Sequence, residues 1–80
     1  MNTVAPVRNF VIENFLFGRA EALTDDESFL ESGIIDSTGV LELVVFLEKT
    51  YGIGISDDEL IPENLDSINN ISRFLLLKLT

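Results

Sequence analysis

Between Asp36 and Gly52, apolar residues recur at Val40, Leu43, Val44, Leu47 and Tyr51. At about 3.6 residues per helical turn these five side chains fall on one arc, so the segment predicts an amphipathic helix over Ser37 to Tyr51 with that arc as its core face. Asp36 and Ser37 are both residues that cap a helix start, and Gly52 is a natural stop. A helix this well bounded needs other apolar stripes to pack against. The chain supplies two.

Val4, Val7, Val11 and Phe15, with Phe10 alongside, form the first stripe, over roughly Thr3 to Phe17. Thr3 is placed to cap that helix, Pro6 is compatible with its first turn, and Gly18 is placed to end it. Ile68, Ile71, Leu75 and Leu79, flanked by Phe74 and Leu76, form the last stripe. Ser67 precedes it as a cap, and Lys78 suits the negative end of the helix dipole. Ser56-Asp57-Asp58-Glu59 has the spacing of a capping box, and Pro62 prevents a long continuation, so a short helix is expected over Asp57 to Ile61. No stretch alternates like a strand. The expected fold is all-α: a small four-helix bundle of three main helices and one short one, in a single domain spanning residues 1–80.

The connection from Gly18 to Asp36 is long for so small a bundle, and Phe29, Leu30, Ile34 and Ile35 are its candidate anchors. Thr24-Asp25-Asp26-Glu27 has capping-box spacing and is expected to open a single helical turn. The acidic run lacks the alternating ligand pattern of a calcium loop, so no metal is expected.

Composition narrows the chemistry. The 80 residues contain no Cys and no His, which removes disulfides, Ser-His and Cys-His catalysis and most transition-metal sites. Fourteen acidic against five basic residues give a formal net charge of −9, a field that repels nucleic acid and anionic membrane. Apolar runs are too short to span a bilayer, and Arg8, Glu13 and Asn14 interrupt any signal-peptide core. The expectation is a soluble cytoplasmic monomer, with no nucleic-acid partner and no membrane span. A carboxylate-based hydrolase would need a carboxylate pair that no pattern here displays, so the chain is not expected to be an enzyme.

Ser37 remains. With no base beside it, it is no nucleophile of its own, yet it can be modified by another enzyme. The first N–H groups of a helix lack internal partners and the dipole favours an anion there, so a phosphate at Ser37 is well placed. On the face opposite the core, Leu41 and Val45 lie one turn apart among Thr38, Glu42 and Lys49, with Glu48 on the flank. They read as a small docking stripe. A rival reading from the same residues is an interaction module in which Ser37 is only a helix cap.

The order of these pieces resembles the acyl carrier protein family over essentially the whole chain. The residues that carry the likeness are Asp36-Ser37 before the apolar helix, Tyr51-Gly52-Ile53-Gly54-Ile55-Ser56-Asp57-Asp58-Glu59-Leu60, and Glu63-Asn64-Leu65-Asp66-Ser67-Ile68 leading into the last helix. The resemblance implies that Ser37 Oγ carries 4′-phosphopantetheine, drawn from coenzyme A, whose thiol holds an acyl group as a thioester. It implies that Asp36 belongs to the signature read by a phosphopantetheinyl transferase. Thr38, Gly39, Leu41, Glu42, Val45 and Glu48 would be partner-binding.

Thr38 stands where fatty-acid carriers commonly have Leu. The apolar pair Ile34-Ile35 followed by Asp-Ser-x-Gly is closer to stand-alone D-alanyl and other aminoacyl carriers. The implied function is tethering an acyl or aminoacyl group for a dedicated pathway, with an activating ligase and a downstream acyltransferase or synthase as partners. A general fatty-acid or polyketide carrier is the alternative.

Overall fold

A computed structural model describes residues 4–18 and 23–79, and all regular structure among them is helical. The elements are α1 (Ala5–Phe15), α2 (Phe29–Ser32), α3 (Ser37–Tyr51), a 3₁₀ turn (Asp57–Glu59), α4 (Pro62–Leu65) and α5 (Ile68–Leu79). The three long helices are the expected ones, and α3 has the expected limits. Local chemistry explains its ends: Asp36 caps the start through its side chain, and Gly52 closes it with φ 66°, donating its N–H to Glu48 O. Partial burial pushes the Tyr51 phenol above its ordinary pKa.

The core is one cluster, with Val7 and Val11 from α1, Leu43, Val44 and Leu47 from α3, and Ile68, Ile71, Phe74 and Leu75 from α5. Leu23, Phe29 and Ile35 from the long connection and Leu65 from α4 close it. Fully burying one such side chain contributes about 1.5–3 kcal/mol, which makes this cluster the main source of stability in a small domain. Among the described residues no buried side-chain polar atom lacks a hydrogen-bond partner.

Several local expectations need correction. The single helical turn in the long connection does not open at Thr24. Residues 25 and 26 form only a turn there, and the helix is α2, capped by Ser28 Oγ accepting the N–H of Glu31 at 3.1 Å. Tertiary bonds select this position. Phe29 N–H donates to Asp66 O at 2.7 Å, Leu30 N–H donates to Asp66 Oδ1 at 3.0 Å, and Ser28 Oγ also donates to the Asp66 carboxylate. Asp25 and Asp26 are engaged instead with Arg8 and Asn69.

The expected short helix over Asp57 to Ile61 is two pieces. The 3₁₀ turn ends at Glu59, and Pro62 opens α4 from the first position, where its missing N–H costs nothing. Glu59 completes the carboxylate arm of the capping box by accepting Ser56 N–H at 3.0 Å. Lys78, expected to face the α5 dipole, reaches Glu59 at 3.0 Å and so ties the turn to the last helix.

Helix α1 ends at Phe15 rather than Phe17. Gly18 is not its immediate stop, because Phe17 already takes a left-handed conformation at φ 53° with its ring exposed. Thr3, the expected cap, lies outside the described residues. At the far end of α5, Leu76 and Leu79 are exposed rather than packed. Leu76 directly follows the fully buried Leu75 and so falls on the outer face, whereas Leu79, a turn later, lies past the last buried residue of the helix.

Candidate functional site

The candidate site is the start of α3. Asp36 approaches in extended backbone conformation (φ −92°, ψ −179°), and its Oδ1 accepts the N–H of Gly39 at 2.7 Å. Val40 N–H goes to Asp36 O at 3.0 Å. The cap is therefore Asp36, and Ser37 is the first residue of the helix with its hydroxyl left over. Ser37 is exposed. Ser37 and Thr38 N–H groups, at the first two helical positions, point out of the helix mouth without an intrahelical acceptor. A covalently attached phosphate at Ser37 Oγ fits this setting, since oriented N–H groups and the positive end of a fifteen-residue helix lie beside it.

Two different surfaces meet at this point. On one side is a cleft of about 260 Å³ between α3 and α4. Val40, Leu41, Leu60, Ile61 and Leu65 give it a largely apolar wall, with Ser37 at its edge and Asp66 as its carboxylate. On the other side lies a more polar crevice that includes Asn14, Asp36, Thr38 and Glu42. A single exposed serine thus stands between an apolar wall and a polar one.

The residues expected on the partner surface separate into two groups. Thr38, Leu41, Glu42 and Val45 are exposed, with Leu41 58% and Val45 48% accessible. Gly39 is not on that surface. It is buried, and a Cβ there would stand 2.8 Å from Phe15 Cε1 and 2.9 Å from Ile35 Cγ2. Gly39 is needed because the α1 ring closes directly over the first turn of α3, an interhelical approach that no local pattern displays.

Glu48 is half-buried, and its Oε2 accepts Ile55 N–H at 3.0 Å. Its carboxylate anchors the loop after α3 rather than standing free beside Leu41. Sequence reasoning also passed over Phe46, which stacks on Phe10 at a ring-centroid distance of 4.2 Å. The one available signal was its place beside Val45 on the edge of the core arc.

Comparison with known proteins agrees with the geometry. Residues 16–75 match the phosphopantetheine attachment site family. The chain is similar to a D-alanyl carrier protein of Streptococcus suis, 31% identical over 71 residues that cover 89% of this chain and 87% of that protein. A second S. suis D-alanyl carrier protein is 30% identical over the same shares. An acyl carrier protein of Buchnera aphidicola subsp. Schizaphis graminum is 29% identical over 75 residues, 88% of this chain and 95% of that one.

The protein is a phosphopantetheine-dependent carrier: it belongs to the acyl carrier protein family. The family's prosthetic group is 4′-phosphopantetheine, and its members are non-catalytic carriers that work with partner enzymes. No helix among the described residues is long and apolar enough to cross a membrane.

Proposed function

We propose that Ser37 Oγ is the attachment atom and that the chain is a stand-alone carrier presenting a tethered aminoacyl group to successive enzymes. The observation that carries the assignment is the division of labour at the start of α3. Asp36 does the capping, which leaves at the first helical position an exposed hydroxyl with no hydrogen bond among the described residues. In the alternative of a pure interaction module, Ser37 would have been the cap.

Attachment needs an outside catalyst, because the chain has no His to act as base. Ser37 Oγ attacks the pantetheine-bearing phosphorus of coenzyme A. The Oγ–P bond forms as the P–O bond to 3′,5′-ADP breaks, and a base of the transferase takes the Oγ proton. Asp36 presents a carboxylate next to the reacting hydroxyl for the transferase to read. The resulting phosphodiester anion sits at the helix N-terminus, where the dipole stabilises it by roughly 0.3–1 kcal/mol. When bound, the arm supplies a thiol that holds cargo as a thioester. Nothing in the chain then has to catalyse: an activating ligase loads the cargo, and an acyltransferase or synthase removes it.

An aminoacyl cargo is supported by Ile34-Ile35-Asp36-Ser37-Thr38-Gly39 and by the two D-alanyl carrier relatives. A plain acyl cargo is favoured by a different observation, the apolar cleft that opens beside Ser37. Intact mass decides both levels. Incubation with coenzyme A and a phosphopantetheinyl transferase should add one arm to the wild type and none to Ser37→Ala, and an arm on Ser37→Ala would sink the assignment. The arm-bearing protein is then offered D-alanine with ATP and an aminoacyl-adenylating ligase, or a fatty acid with ATP and an acyl ligase. Loading by the acid alone would overturn the aminoacyl reading.

A further inference from the structure

Helix α2 has only four residues, too few to be stable by itself. Its leading N–H groups, which no residue of the helix can accept, are all satisfied at one place. Phe29 N–H donates to Asp66 O at 2.7 Å and Leu30 N–H donates to Asp66 Oδ1 at 3.0 Å. Glu31 N–H donates to Ser28 Oγ, whose own proton goes to the Asp66 carboxylate. Asp66 is in turn fixed between two helices: its N–H donates to Pro62 O at 3.0 Å where α4 ends, and the next residue, Ser67, caps α5.

The other end of α2 reaches the backbone that delivers Ser37. Ile35 N–H donates to Phe29 O at 3.2 Å, and Ile35 is the fully buried residue immediately before Asp36, the cap of α3. Its Cγ2 stands close beside Gly39, in the first turn of the helix. A continuous route therefore runs from Asp66 through α2 and Ile35 to Asp36 and Ser37. It starts and finishes in one place, because Asp66 and Ser37 line the same cleft.

We propose that Asp66 is a positioning residue for attachment of the arm: through α2 and Ile35 it fixes the backbone that presents Ser37 Oγ to the transferase. The proposal rests on the carrier reading above. In that transfer the Oγ–P bond forms as the P–O bond to 3′,5′-ADP breaks, and the Oγ proton passes to a base of the transferase. The nucleophile must therefore be aligned with both the phosphorus and the base, and small misplacements of such groups are costly.

The Ser37 hydroxyl has no hydrogen bond of its own among the described residues, so its placement is inherited from the backbone beneath it. The bond from Asp36 Oδ1 to Gly39 N–H is internal to α3 and orders the first turn. It does not set where that turn sits in the bundle. On the α1 side Phe15 closes over Gly39, and on the α4 side the reference is Ile35, held by α2 on Asp66. Asp66 acts through α2 and not by contact with the reacting atoms.

Steady-state transfer of the arm from coenzyme A, followed by intact mass at varied carrier concentration, tests this together with amide exchange of the unmodified protein. Asp66→Ala should lower kcat about tenfold and leave the KM for the carrier within about twofold, because alignment is lost while no exposed side chain of α3 changes. Exchange at Ile35 should quicken in that variant by more than at Leu47, buried in the middle of α3. Asp66→Asn keeps an acceptor for Leu30 N–H and can donate to Ser28 Oγ, so it should bring kcat back to within about twofold of wild type. Ser67→Ala is the control for lost stability: it removes the cap of α5 and no part of the clasp, and it should keep the wild-type kcat and quicken Ile35 and Leu47 alike. If circular dichroism shows that Asp66→Ala does not fold, Ser28→Ala replaces it, losing the hydroxyl of the clasp but neither backbone donor, with kcat expected to fall about threefold. If wild type accepts the arm and the clasp variant has the kcat of Ser67→Ala, Asp66 does not position Ser37. An Asp66→Asn protein as slow as Asp66→Ala would also overturn the proposal, since the hydrogen bonds would not be what mattered. If wild type accepts no arm from any transferase, the carrier reading falls and this proposal falls with it.

Discussion

Asp36 Oδ1 and the N–H of Gly39 are 2.7 Å apart, and this one bond decides what Ser37 is free to do. Because the aspartate satisfies the orphan donor, the serine is relieved of capping. Asp36→Ala should lower stability by about 1 kcal/mol, the usual cost of losing a side-chain cap, measured as a fall in the urea midpoint. Ser37→Ala should leave that midpoint within roughly 0.5 kcal/mol of wild type, because an exposed hydroxyl outside such a network contributes little. A large loss in Ser37→Ala would mean that the hydroxyl is structural after all.

Gly39 should resist any side chain. Alanine in a helix is favoured over glycine by up to about 1 kcal/mol. Here its methyl would meet Phe15 at 2.8 Å and Ile35 at 2.9 Å. Overpacking of that kind costs about 1–3 kcal/mol, so Gly39→Ala should be destabilised on balance. Shortening the obstructing ring in the double variant Gly39→Ala/Phe15→Leu should recover part of the loss. Thermal denaturation of the two variants checks this, and strictly additive losses would rule out the contact as the cause.

Asp66 joins the long connection to the start of α5. Its carboxylate accepts Leu30 N–H and Ser28 Oγ–H, and its backbone oxygen accepts Phe29 N–H. Asp66→Ala should cost about 1 kcal/mol or somewhat more, since the part-buried Ser28 hydroxyl and the exposed Leu30 N–H both lose their acceptor. Amide exchange should quicken most at Leu30, whose partner is the side chain, and least at Phe29, whose partner is the backbone. Equal acceleration throughout the bundle would indicate global weakening instead of a local clasp.

Glu59 makes stability depend on acidity. Its pKa is held below the ordinary glutamate value of 4.5, first by the Ser56 N–H and then by the hydrogen bond from Lys78, while desolvation opposes them. The folded state therefore binds this proton more weakly than the unfolded chain does. The stabilisation is fully present above pH 4.5 and is lost as pH falls from there through the lowered value of the folded state. Melting temperatures of wild type and Glu59→Gln should differ at pH 7 and converge as acid is added below that range. A gap that stays constant down to pH 3 would exclude the linkage.

Legibility in the sequence tracked the range of the interaction. Both ends of α3 were readable because Asp36 and Gly52 act on backbone groups within a turn of themselves. Ser67 likewise caps α5, its Oγ accepting Asn70 N–H at 3.1 Å. The turn expected at Thr24 failed for the complementary reason. Its capping-box spacing is a local preference, whereas the three bonds from Ser28, Phe29 and Leu30 to Asp66 join residues far apart in the chain. Leu79 was misplaced because periodicity carries no mark of where the opposing helices end.

From the sequence alone come the three long helices, the serine at the start of the second, and the exposure of Leu41, Glu42 and Val45. Each is set by spacing along one chain segment, since helix geometry assigns every residue a direction. Only the tertiary structure decided that Gly39 is buried beneath Phe15, that Glu48 is bonded to the backbone of Ile55, and that Phe10 joins Phe46 to widen the outer stripe. These depend on how closely and in which direction two helices approach, and that is set by the packing of whole faces against one another, a property no single segment carries.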